Sequence, residues 1–208
     1  KPGAWWSSEN NTFTTFYSLK IKDNNNGINS IYDNVNDLLK EAVVKRLMSD
    51  RKIGCLLSGG LDSSLIASLV AREYNDSKIE TFSIGMPGSI DLHYANIVAK
   101  HIGSNHHHVE ISAKEFLNSI EEVIYKIESY DITTVRASVG NYLVSKYIKN
   151  NSNCKVIFNG DGSDEVCCGY FYFKNAPNPS LLQQESKKLI DEIFLFDVLR
   201  SDKSISSN

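Results

Sequence analysis

The run Ser58-Gly59-Gly60-Leu61-Asp62-Ser63-Ser64 gathers two glycines, three hydroxyls and one carboxylate directly behind the apolar stretch Ile53 to Leu57. A buried strand ending in paired glycines lets the backbone approach a ligand closely. A helix opening behind it aims unpaired N–H groups and its positive dipole end at the same place. The arrangement suits a polyphosphate. Ser58, Ser63 and Ser64 add hydroxyl donors, and Asp62 is placed to hold a magnesium ion bridging phosphates. The Walker pattern Gly-x-x-x-x-Gly-Lys-Ser/Thr is absent, so no lysine is placed to serve a terminal phosphate in transfer. A Gly-Gly pair alone would be a capped turn. The whole run, set between strand and helix, reads as a pyrophosphate cradle and predicts ATP, Mg2+ and cleavage to AMP and pyrophosphate.

Two further segments carry chemistry. Asn159-Gly160-Asp161-Gly162-Ser163-Asp164-Glu165 follows Cys154 to Phe158, read as a buried strand, and its three carboxylates form an acidic turn suited to magnesium already held by phosphate. In isolation this would be an acidic surface loop; its place at the end of a second strand makes it a partner for the first loop. In Tyr130 to Ser138, the hydroxyls of Thr133 and Thr134 and the guanidinium of Arg136 stand at a helix start, where they are candidates to hold a carboxylate substrate. Taken by themselves, these residues fit a helix cap and a salt-bridged arginine better.

The elements that must position these segments are legible from periodicity. Val35, Leu38, Leu39, Ala42, Val43 and Leu47 recur at helical spacing and predict a helix from Ile31 to near Ser49. Ile53 to Leu57, Ile79 to Ile84, His106 to Ile111 and Cys154 to Phe158 read as strands. Helices are predicted over Leu61 to Tyr74, Leu92 to Ile102 with Gly103 as stop, and Val135 to Lys149. Ser112 and Glu115 form a capping box ahead of another, and Pro179 opens a last one through Leu189, Ile193 and Leu199. Residues 1–30 lack helical periodicity and end in an Asn-rich turn stretch, as a linker or domain tail would. Alternating strands and helices predict an α/β fold with a doubly wound, mainly parallel sheet, and both Gly-rich segments fall at carboxyl ends of strands, where such sheets bind ligands.

Composition narrows the function classes. The 208 residues have a net charge of -3, 41% hydrophobic and 23% charged residues, no basic stripe for nucleic acid and no apolar run near the roughly 20 residues of a membrane span. A soluble, cytoplasmic protein is expected. Its four cysteines lack the spacing of a disulfide framework.

The three segments, with Ile53-Gly54-Cys55-Leu56-Leu57, Thr81-Phe82-Ser83-Ile84-Gly85, Gly160 to Tyr170 and Leu195 to Asp202, resemble the synthetase domain of glutamine-hydrolysing asparagine synthetases over nearly the whole chain. Ile132-Thr133-Thr134-Val135-Arg136-Ala137-Ser138 is the most specific match; the cradle alone admits several ligase families. The resemblance implies an adenine nucleotide α-hydrolase-like fold of the pyrophosphate-loop type. It implies an ATP-dependent ligase that converts aspartate to asparagine through a β-aspartyl-AMP intermediate. On the same basis Leu56, Ser58, Gly59, Gly60, Asp62, Ser63, Ile84, Asn159 and Gly160 bind ATP or pyrophosphate, and Asp62 and Asp164 bind the metal. Thr133, Thr134 and Arg136 hold aspartate, with Asp161 and Arg136 catalytic. Many relatives carry Glu where this chain has Asp161, which keeps the charge one methylene shorter.

The resemblance also implies that residues 1–30 are the tail of a glutaminase domain, the source of ammonia, and that residues 31–208 are an ATP-binding domain lacking its C-terminal helices and a supporting lysine. Apolar faces left by those helices would favour association, so a homodimer is among the expected states. Two other readings are a nucleotide-binding segment without turnover and a ligase of this loop type acting on a different acceptor.

Three signals are set aside. His106 and His108 share one strand face while His107 points away, and no fourth metal ligand is evident. Cys167 and Cys168 are expected to pack in the interior. Tyr170 to Phe173 is assigned to core packing in preference to stacking on adenine.

Overall fold

Alternation along one short strand sets the layout of the molecule. The computed structural model describes residues 2–18, 28–74 and 78–192. Strands β1 (Ala4–Ser7) and β2 (Thr12–Thr15) form an antiparallel hairpin, and helix α1 (Ile28–Arg46) leads to strand β3 (Ile53–Leu56). Ile53 and Cys55, with Leu57 just beyond, pack on one side of β3 against Val43 of α1 and against Ala67 and Val70 of helix α2 (Leu61–Glu73). Ala95 and Ala99 of helix α3 (Ile90–Ile102) complete that layer. Leu56 turns to the opposite side, where Phe82 and Ile84 of strand β4 (Glu80–Gly85) meet Val144 and Ile148 of helix α6 (Ile132–Asn151). Removing aliphatic side chains such as Val70 and Ile53 from water contributes roughly 1.5–3 kcal/mol each.

Strand β5 (Asn105–Glu110) and strand β6 (Val156–Phe158) complete a four-stranded parallel sheet in the order β5-β4-β3-β6. Helices cover both faces, so the doubly wound parallel architecture read from the sequence is the one observed. Helices α4 (Ala113–Asn118) and α5 (Ile120–Ile127) form an outer layer, in which Val123 packs on Val135 and Val139 of α6. Helix α7 (Ser163–Cys167), a short 3-10 helix (Phe171–Asn175) and helix α8 (Pro179–Glu192) follow β6. The proposed continuation of α8 to Ile193 and Leu199 lies outside the described residues.

Local chemistry explains several boundaries. Gly103, at φ 69°, ends α3 in the left-handed conformation, and Ser112 and Glu115 make the expected reciprocal capping box. The single helix expected after that box is two. Ser119 Oγ donates to the Glu115 carbonyl at 2.8 Å, competing with the main-chain ladder, and the chain restarts there as α5. The segment before α1 is not all loop. Its Trp, Phe and Thr residues pair as β1 and β2 around Asn11 at φ 49°.

The amino edge of the sheet is closed by a buried carboxylate. Glu80, 7% exposed, accepts from Lys52 and from Ser152 at the end of α6, and His107 Nε2 lies 3.4 Å from its Oε2. Burial pushes the Glu80 carboxyl up, but the hydrogen bonds from Lys52 and Ser152 and the lysine charge outweigh it, leaving it below the ordinary carboxylate value. Among the described residues no helix is long and apolar enough to cross a membrane.

Candidate functional site

Strands β3, β4 and β5 progress outward in one direction, and the chain then returns to lay β6 on the other side of β3. The loops after β3 and β6 therefore leave neighbouring strands in opposite directions and open a crevice at the carboxyl edge. Cys55 is in register with Phe158, so both loops start at the same level.

The loops are interlocked. Gly160 lies so close to the start of α2 that a Cβ there would sit 2.8 Å from Ser63 N and 3.0 Å from Asp62 Cβ. Ser163 Oγ donates to Asp62 Oδ1 at 2.8 Å. Within the first loop, Ser58 Oγ and Ser63 Oγ are 2.9 Å apart, Gly60 N donates to Ser58 Oγ at 3.2 Å, and Ser58 N donates to Ser63 Oγ at 3.2 Å. The turn is thus held by its own hydroxyls. No side chain caps α2 at Gly60, which leaves the N–H groups of its first turn facing the crevice.

The resulting cleft has a volume of about 440 Å³, in the usual range for small-molecule sites. Its apolar floor is Leu56, Phe82, Ile84, Leu92 and Val144. Ser58, Gly60, Asp62 and Ser63 line one wall, and Asn159, Gly160, Asp161, Asp164 and Glu165 the other. Asn159 Nδ2 holds Asp161 Oδ2 at 2.6 Å, and the Tyr170 hydroxyl donates to Glu165 Oε1. Asp164 rests on Gly169, where a Cβ would fall 2.0 Å from its Oδ1. Asp91 of α3 and Asn141 of α6 complete the rim. Among the described residues lining the cleft there is no lysine or arginine.

Helix α6 runs back over the sheet from the carboxyl to the amino edge. Asn141 and Val144 reach the cleft, and its first two turns project beyond it. Asp131 caps these turns, accepting from Thr134 N and Thr134 Oγ1 at 2.8 Å each. Arg136 is exposed. Thr134 lies two turns, roughly 10 Å, from Asn141 along the helix.

A family model described as asparagine synthase matches residues 34–202, spanning β3 to β6 and both loops of the cleft. The chain belongs to the asparagine synthase family. It is 50% identical over 185 residues to the glutamine-hydrolysing asparagine synthetase of Bos taurus, and 49% identical to those of Rattus norvegicus and Homo sapiens. Each alignment covers 87% of this chain and 33% of the relative, so the chain spans about a third of the length of these relatives. The NH3-dependent NAD synthetase of Campylobacter jejuni aligns over 67% of this chain and 60% of its own, at 15% identity and a TM-score of 0.47, a likeness too distant to carry an argument.

In this family member the structure gathers Leu56, Ser58, Gly60, Asp62, Ser63, Ile84, Asn159, Gly160, Asp161 and Asp164 in one cleft. Gly59, at φ +83° against Tyr94 and Ala95 of α3, shapes the turn without lining the cleft, and Thr133, Thr134 and Arg136 do not line it either. Ser64, expected to add a donor, has its hydroxyl buried without a hydrogen-bond partner among the described residues. Cys167 and Cys168, expected in the interior, are exposed and half-buried: they end α7, a five-residue helix with no buried residue. The aromatic run divides. Phe173 is buried, while Tyr170 lines the cleft and stacks on Tyr172 at 5.9 Å between centroids.

The reading from sequence missed Asp91 and Asn141. Asn141 had a signal: it is the polar member of a stripe that continues as Val144 and Ile148 on the sheet-facing side of α6. Asp91 sits in the first turn of the helix after β4, a strand neighbouring the crevice. The three histidines follow the expected alternation. His106 bonds Thr81 and Ser83, and His108 bonds Asn96 and Glu110. On the other face His107 stacks on Phe82.

Proposed function

We propose that this chain is the nucleotide-binding part of a synthetase that uses ATP to convert aspartate to asparagine. In the first step an oxygen of the aspartate side-chain carboxylate attacks the α-phosphorus of ATP. The bond to pyrophosphate breaks, giving β-aspartyl adenylate. Ammonia then adds to the acyl carbon, the carbon–oxygen bond to AMP breaks, and the nitrogen gives up one proton.

The observation that carries this reading is the interlock of two phosphate-competent loops through Ser163 and Asp62 at the switch point of the sheet. In the proposal the first turn of α2 and the hydroxyls of Ser58 and Ser63 hold the departing pyrophosphate. Leu56, Ile84 and the backbone of Asn159 and Gly160 hold adenosine. Asp161, fixed by Asn159, supports formation of the adenylate. A loop that grips the leaving group and has no Walker lysine suits attack at the α-phosphorus.

The carboxylates of a cleft lined, among the described residues, by no lysine or arginine repel a polyphosphate, and the donor set fits Mg2+. Asp62 and Asp164 offer two carboxylates, and among the described residues no group of three or more His, Cys, Asp or Glu could hold a metal alone. Magnesium characteristically takes one or two carboxylates plus phosphate oxygens and waters. When bound it would neutralise phosphate charge.

Aspartate is assigned to the overhanging turns of α6, where the exposed Arg136 guanidinium suits a carboxylate and Thr133 and Thr134 flank it. Residues 1–30 would connect to a glutaminase region such as the relatives' name implies, with residues 31–208 forming the synthetase part. Four free cysteines accord with a cytoplasmic setting. One observation favours a second reading, a nucleotide-binding segment without turnover: Thr133 and Arg136 stand outside the cleft. Calorimetric titration with Mg-ATP, followed by aspartate-dependent exchange of labelled pyrophosphate into ATP, separates the two. Binding with exchange supports the synthetase, binding without exchange the second reading, and no binding neither.

A further inference from the structure

The four cysteines fall into two chemically different pairs. Cys55 is fully buried, and burial together with the neighbouring Cys154 pushes its thiol up to about 12; burial also raises that of Cys154. Neither is accessible to a reagent. Cys167 is exposed and Cys168 half-exposed at the end of α7, within a segment whose Asp164, Glu165 and Tyr170 line the cleft.

This second pair is built into the support of Asp164. Cys168 is the C-terminal cap of α7 and stands in the left-handed region at φ 56°, a conformation unfavourable for a residue with a Cβ. Its N–H donates to the Asp164 carbonyl, and so does Gly169 N at 2.9 Å. Gly169 also leaves the space that the Asp164 carboxylate fills. The peptide joining the two cysteines and the one after it therefore hold Asp164 from the main-chain side.

We propose that Cys167 and Cys168 are an oxidisable thiol pair whose closure to a vicinal disulfide by a hydroperoxide unseats Asp164 and weakens nucleotide binding; the second half rests on the reading of Asp164 given above. The exposed Cys167 thiolate attacks the peroxide, the O–O bond breaks, and an alcohol, or water from hydrogen peroxide, departs with a proton. Cys167 is left as a sulfenic acid. The Cys168 sulfur attacks it, forming the S–S bond and releasing water. Two thiols have given two electrons to the peroxide. Neighbouring Cα atoms across a trans peptide are about 3.8 Å apart, below the roughly 4.4–6.8 Å usual for a disulfide, so closure must twist the backbone at Cys168. That twist falls on the two N–H groups that hold Asp164. A bridge so constrained is readily reduced, as a reversible device requires.

The test uses the whole 208-residue chain treated with hydrogen peroxide and then dithiothreitol. Peptide mass analysis should find a disulfide within the peptide carrying Cys167 and Cys168, with Cys55 and Cys154 still free thiols. Hydrogen exchange at the Cys168 and Gly169 amides should rise on oxidation and fall on reduction. Mg-ATP affinity should drop about tenfold and recover, and Cys167→Ser should bind as the reduced chain does while ignoring peroxide. A vicinal disulfide with unchanged exchange, bridges only between chains, or equal peroxide sensitivity of Cys167→Ser would overturn the proposal. Failure of the untreated chain to bind Mg-ATP would instead refute the nucleotide reading, because mass and exchange report on the thiol pair without it.

Discussion

Ser163 Oγ donates a 2.8 Å hydrogen bond to Asp62 Oδ1, joining two loops that are 101 residues apart in the chain. The bond fixes one carboxylate oxygen of Asp62 toward the second loop, in a cleft that both loops line. In the proposed function it sets the spacing between the phosphate cradle and the second metal-binding carboxylate, Asp164.

Ser163→Ala is expected to weaken Mg-ATP binding about tenfold while leaving the fold intact, because a hydrogen bond to a charged acceptor contributes roughly 1.5–3 kcal/mol. Asp62→Ala should abolish binding. Calorimetric titration reads both, and wild-type affinity in either variant contradicts the assigned role of the pair.

Gly160→Ala tests the close approach of the loops. The added methyl would meet the Ser63 amide at 2.8 Å, main chain that cannot swing aside. The variant should lose about 1–3 kcal/mol of stability in urea and bind nucleotide more weakly. Unchanged values for both would mean that the loops are further apart than described.

The amino edge of the sheet makes a prediction about pH. The Glu80 carboxyl lies below its ordinary value in the folded chain, so its contribution to stability is present above the unfolded carboxylate pKa, about 4.3. That contribution is lost as pH falls from there through the folded value. Glu80→Gln should reduce stability at pH 7 by about 1–3 kcal/mol and flatten the decline below about pH 4. An equally steep acid decline in the variant would place its cause elsewhere.

Arg136→Ala separates the two substrates. Arg136 does not line the cleft assigned to nucleotide in the proposed function, so Mg-ATP affinity should stay within about twofold of wild type, a difference of only about 0.4 kcal/mol, while aspartate-dependent exchange disappears. A large loss of ATP affinity would argue that α6 folds over the nucleotide and not over a separate carboxylate.

The sequence made the sheet legible because its central strand β3 and its neighbour β6 are short apolar stretches, and the helices around them carry strong punctuation: Gly103, the Ser112–Glu115 box and the paired glycines all act within a few residues. The same locality exposed the cradle and the acidic loop. What escaped depended on distance. That Gly160 touches Ser63, that Asn141 reaches the cleft, and that α7 leaves Cys167 uncovered follow from how elements separated by tens of residues come together. The division of one helix at Ser119 was missed for the opposite reason, since a single hydroxyl overrode an unbroken apolar period.

The most direct test of the account is exchange of labelled pyrophosphate into ATP in the presence of aspartate, measured on the chain extended to the length of its relatives. The account predicts exchange that requires aspartate and magnesium and is lost in Asp62→Ala and Arg136→Ala. Exchange supported by a different carboxylate and not by aspartate, or exchange that persists in Asp62→Ala, would contradict it.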